Sequence, residues 1–232
     1  MKKSIFVLPL IAISMFASCS KNNLDAWFKQ SIVHAMETKE ENIRTLVTIS
    51  NSDPKTIWKD DKVLMTTFHN YPESYIEGET ITLGWESWVT SAKEFSVVYK
   101  EKKDSFKNDP ALRVKQLLGL HYESKNQYMT SYWVDPDDLI RPAYVTNITK
   151  QMKLTFDEDV TQDYKDWFQN QYKSCYFGDN QLPWTRLGYT YDWAGNDRYG
   201  LSEFVIMKDR EASVTIEKTA PVNEFLDYLE DL

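Results

Sequence analysis

Two runs of strand-forming residues, 187–193 and 199–207, are joined by Ala194-Gly195-Asn196-Asp197-Arg198. A short Gly-containing connection between such runs reads as a β-hairpin. In the first run Tyr189, Tyr191 and Trp193 fall on one strand face at period two, and Gly188, Thr190 and Asp192 on the other.

The rest of the chain fits around this antiparallel unit. Residues 63–68, 80–89, 94–99, 127–134, 151–156 and 213–218 are rich in β-branched and aromatic residues or bounded by turn residues, and predict strands. Leu24, Trp27, Phe28, Ile32, Ala35 and Met36 recur at helical spacing. Further helices are predicted after Asn108-Asp109-Pro110, ending at Gly119, over residues 163–176, and from Pro221 to the end. Strands and helices do not alternate regularly, and long parallel-type apolar runs are absent. The expected class is α+β, a mainly antiparallel sheet with flanking helices in one compact domain.

The chain opens with Lys2 and Lys3 followed by the apolar residues 5–16, which is the pattern of a secretory leader. The apolar stretch is broken by Pro9 and is too short for a membrane span, which needs roughly 20 residues. Phe16-Ala17-Ser18-Cys19 resembles the lipobox of bacterial lipoproteins. Ordinary cleavage wants small residues at the last and third-last positions, yet a cut after Ser18 or Ala17 places Phe16 or Met15 third-last. The resemblance implies removal of residues 1–18, acylation of Cys19, and a mature domain over 19–232 anchored in the cell envelope. Ser20 in place of an aspartate favours the outer membrane.

With 27 basic against 35 acidic residues, the chain repels phosphate backbones, so no nucleic-acid partner is expected. At 42% hydrophobic content it is able to bury a full core. Once Cys19 carries lipid, Cys175 has no disulfide partner and reads as a buried small hydrophobe on a helix.

Motifs for chemistry are sparse. Gly200-Leu201-Ser202-Glu203-Phe204 lacks the second glycine of a nucleophile elbow. His34, His69 and His121 are too far apart for a zinc pair, and no acidic cluster fits a calcium loop, so neither metal nor cofactor is expected. His34 reads as a hydrogen-bonded imidazole of the first helix. His69, at a strand end, is the better functional candidate. Aromatic density stands out, with 8 Trp and 14 Tyr. Trp184, Arg186, Tyr189, Tyr191 and Trp193 form the candidate binding surface for a glycan or envelope protein, although the same face also suits a core. The leading expectation is a non-catalytic binding lipoprotein. The alternative is an envelope hydrolase acting on glycan or peptide through Glu86, Asp192 and Glu203, or through His69 and Cys175.

Overall fold

The most continuous apolar runs of the sequence pair with each other at the centre of the molecule. Strand β2 (Lys62–His69) lies antiparallel to β5 (Tyr128–Val134), with Val63 opposite Val134 and His69 opposite Tyr128. The structure is a computed structural model describing residues 21–195 and 197–232, so the leader and Cys19 lie outside the described residues. On one side of the central pair come β10 (Ser213–Pro221) and β3 (Thr80–Thr82). On the other come β4 (Ser87–Ser91), β9 (Phe204–Ile206) and β6 (Leu139–Ile140), while β1 (Trp58–Lys59) also pairs with β2. These eight strands form one antiparallel sheet; β7 (Tyr189–Tyr191) and β8 (Tyr199–Ser202) form a separate hairpin. Five helices occur among the described residues: α1 (Lys21–Met36), α2 (Ala92–Glu101), α3 (Pro110–Leu117), α4 (Gln162–Phe177) and α5 (Val222–Asp231). The fold is α+β in a single domain, with the helices packed on the sheet.

Both faces of the sheet are covered, which is why β2 and β5 are buried along nearly their whole length, the mid-strand hydroxyls of Thr66 and Ser131 bonding each other at 2.8 Å. Val63, Met65, Tyr132, Val134, Phe204 and Ile206 face a core closed by Val47, Ile49, Tyr75 and Leu83 from the connecting segments. Irregular backbone inside a core needs donors for its carbonyls. Arg141, fully buried, supplies them: its guanidinium donates to Val47 and Ile148 at 2.8 Å, to Asn147 at 2.9 Å, and to Lys150. The opposite face meets α2, α3 and α5 through Phe95, Val114, Leu117, Phe225 and Leu229. Beyond it, α1 and α4 pack on each other and on the hairpin through Phe28, Ile32, Phe168 and Trp193.

Three sequence expectations are corrected here. Residues 94–99 are helical, because Ser91 caps α2 by accepting the Glu94 backbone N–H at 3.5 Å and the Phe95/Tyr99 stripe packs inward. The run 80–89 is split, since Leu83 to Glu86 with Gly84 leave the strand path and divide it into β3 and β4. Residues 151–156 form no strand; there Met152 plugs a small core with Leu46, Leu187 and Tyr189. The late hairpin is also shorter than its pattern suggests. The second run divides after Ser202, its first half pairing with β7 and its second half with β4.

Candidate functional site

Alternation along β4 puts Glu86, Trp88 and Thr90 on the sheet face that looks toward the hairpin and α4. The β4–β9 register sets Ser87 opposite Ile206 and Val89 opposite Phe204, so its next step brings Glu203, between β8 and β9, across from Thr90. Helix α4 contributes Gln171 and Cys175, four residues apart and therefore on one stripe. Leu182, Pro183 and Trp184, then Tyr189 to Tyr191 of the hairpin, close the roof. Gly119 ends α3 with φ +69°, and a side chain there would press on the Tyr191 carbonyl at 3.3 Å. The cavity, partly open to solvent, measures about 300 Å³.

Most polar groups around this space are already used. The Thr67 hydroxyl donates to the Trp88 carbonyl at 3.0 Å, and Thr66 shares a 2.8 Å bond with Ser131. Thr190 donates to the Leu117 carbonyl at 2.7 Å and accepts from the Leu201 N–H at 2.9 Å. Glu86 accepts from the indole N–H of Trp88 at 2.7 Å and of Trp167 at 2.8 Å. Glu203 is the exception. Its backbone N–H donates to Gly188, but its Oε2 is shielded and has no hydrogen-bond partner among the described residues. Burial without any opposing basic group pushes its carboxyl from the usual 4.5 up to about 8. Trp184 Nε1 is likewise buried without a partner. The Trp184 ring stands nearly perpendicular to Trp88 at 6.3 Å and to Trp167 at 6.2 Å.

The five candidate binding residues are all buried, none more than 8% exposed. Trp184, Tyr189 and Tyr191 line the cavity. Arg186 does not: its guanidinium donates to the Ala35 and Met36 carbonyls at the end of α1 and stacks over Tyr172 and Tyr176. Trp193 packs edge-on to Phe28 and donates to the Leu120 carbonyl at 3.1 Å. Both faces of that strand are interior, because Thr190 and Asp192 are buried as fully as the aromatic residues.

Of the acids, Glu86 and Glu203 share the cavity, whereas Asp192 is held in a buried ion pair with Arg113. His69 does not line the cavity. It hydrogen-bonds Thr130 at 2.8 Å and accepts the Tyr71 N–H at 3.1 Å, and burial pushes it down to about 4. Cys175 does line it, but burial raises its thiol to about 12, so it stays in the non-nucleophilic form. His34 shares a 3.2 Å hydrogen bond with the Tyr191 hydroxyl.

A second, larger groove of about 540 Å³ runs between α1 and residues 121–124 and 179–182. Of its charges, Lys29 pairs with Asp25 and Glu123 with the nearby Lys21, while Asp179 makes no salt bridge among the described residues. Among the described residues no three His, Cys, Asp or Glu converge as metal ligands, and no helix is long and apolar enough to cross a membrane. Set against family models, curated proteins and solved structures, the chain matches none.

Proposed function

We propose that this protein is an envelope lipoprotein, anchored through Cys19, whose domain is a non-catalytic binding module. Its ligand is one small molecule or the terminal group of an envelope glycan or protein. The observation that carries the binding role is an aromatic-walled cavity bordered by the side chains of two acids, Glu86 and Glu203. A cavity suits the role better than a surface patch, since Trp27, Tyr71 and Trp85 are the Trp and Tyr side chains that stand exposed among the described residues. Titrating the mature domain with a panel of monosaccharides and small headgroups, read by tryptophan fluorescence, is expected to give saturable binding. A dissociation constant below about 1 mM, roughly 4 kcal/mol, is the expected range. Absence of saturation for every compound reduces the cavity to a packing gap.

Hydrolysis is the second reading, favoured by Glu86 and Glu203 lying in one cavity. Against it, both Glu86 oxygens are taken by the indole N–H groups of Trp88 and Trp167, which leaves that carboxylate held rather than free to act on a substrate. Release of nitrophenol from nitrophenyl glycosides, abolished by Glu203→Gln, would establish hydrolysis over simple binding.

The anchor has its own test. Protein expressed in a bacterial host is expected to begin at Cys19, to carry added acyl mass and to fractionate with membranes. The Cys19→Ser variant, and cells treated with an inhibitor of lipoprotein processing, lose the acylated mature form. An unacylated soluble species beginning at Lys21 would refute the anchor.

A further inference from the structure

We propose that the cavity recognises a small organic cation, a quaternary or alkylated ammonium group of about choline size. The cation lies against the Trp88 and Trp184 rings, with Glu86 as its counter-charge and the Glu203 carboxyl beside it. This deepens the binding role above and rests on the cavity being a ligand site.

The first reason is the one-sided charge of the lining. Two carboxyl side chains border the space, and among the described residues no lysine, arginine or histidine does. An anionic ligand would meet two acids with nothing to neutralise it, and burying an unpaired charge is far costlier than burying a paired one. A cation meets the reverse situation. The chain as a whole, at net charge −8, also gathers cations rather than anions.

The second reason is the kind of wall. Cations bind the faces of aromatic rings within about 6 Å, tryptophan best, and desolvation strengthens the attraction. Trp88 and Trp184 meet at 84° and make a corner. Both indole N–H groups beside Glu86 are turned onto its carboxylate, which fixes Trp88 and Trp167 in place before any ligand arrives. An alkylated ammonium suits this lining better than a bare one. A primary ammonium brings three N–H donors, while both Glu86 oxygens and the hydroxyls of Thr66, Thr67 and Thr190 are already engaged within the protein.

The third reason is size. About 300 Å³ is roughly ten water volumes, enough for a trimethylammonium group and a short linked arm.

The decisive comparison is charge at constant shape. The domain is titrated with choline, tetramethylammonium and the neutral carbon isostere of choline, in which carbon replaces nitrogen. Choline is expected to bind at least about tenfold tighter than its isostere. Glu86→Gln is expected to weaken choline about tenfold at pH 7, and Glu203→Gln to do so above about pH 8, where its carboxyl is ionised, each leaving the isostere unchanged. Equal or tighter binding of the isostere overturns the cationic assignment. Binding of neutral sugars alone also overturns it, yet leaves the cavity a ligand site. If no cation, isostere or sugar binds, both readings fall. The wild-type comparison of choline with its isostere stands even if a variant folds poorly.

Discussion

Asp192→Ala is expected to destabilise the fold by about 3–5 kcal/mol, the usual cost of breaking a buried ion pair by removing one partner. Asp192 is fully buried and takes both arms of the Arg113 guanidinium, at 2.8 and 2.5 Å, with Lys102 3.7 Å away. Its Oδ1 also accepts the N–H groups of Ala194 and Gly195, so the same carboxylate shapes the hairpin turn. Arg113 in turn donates from Nε to Ser105 and lies over Phe106. Alanine therefore strands a guanidinium in the interior and releases the turn. Urea denaturation measures the loss. Two further variants separate these contributions: Asp192→Asn retains acceptors for the turn and is expected to be less damaging, and adding Arg113→Met to Asp192→Ala is expected to restore part of the stability. If the double variant is no better than the single one, the stranded charge is not the cause.

Asp192 also shows where sequence reading reaches its limit. Its alternation with Tyr189 and Tyr191 correctly separates two strand faces, but a polar face implies solvent only if nothing polar packs against it. Arg113, 79 positions away, does so. The central strands were legible because their β-branched and aromatic residues stand between turn signals: residues 63–68 fall within β2, and 127–134 differs from β5 by one residue. The last helix follows Pro221 as its pattern predicts. Helix α2 was misread because Phe95, Val97, Val98 and Tyr99 carry strong strand preference. The Ser91-Ala92-Lys93-Glu94 spacing is a capping-box signal that outweighs it. Glu203 could be noticed as a lone acid in an apolar run. That Glu86, Trp88 and Cys175 would face it depends on pairing between β4 and β9 and on the docking of α4, neither of which local pattern encodes.

Glu203→Gln is expected to make the unliganded protein more stable above neutral pH while weakening its affinity for the ammonium ligand about tenfold above about pH 8. The folded state holds the Glu203 proton up to about pH 8, whereas the unfolded chain releases it near the usual 4.5. Across that window the folded form binds the extra proton, so this residue's contribution to stability falls by about 1.4 kcal/mol per pH unit as pH rises, then levels off. Glutamine keeps the shape without the titration. Glu94, raised to about 7 by burial, gives a slope of the same sign; His69, pushed down to about 4, gives the opposite slope below its ordinary 6.5. The raw stability curve mixes all three. The wild-type minus Glu203→Gln difference isolates one: near zero at pH 4, increasingly unfavourable to the wild type up to about pH 8, and flat beyond. Denaturant melts across this range measure it. A variant less stable than wild type at every pH would mean that Glu203 has a structural partner, and the case for a ligand there would fail. A variant that gains stability and loses binding identifies a carboxyl retained at the expense of the fold.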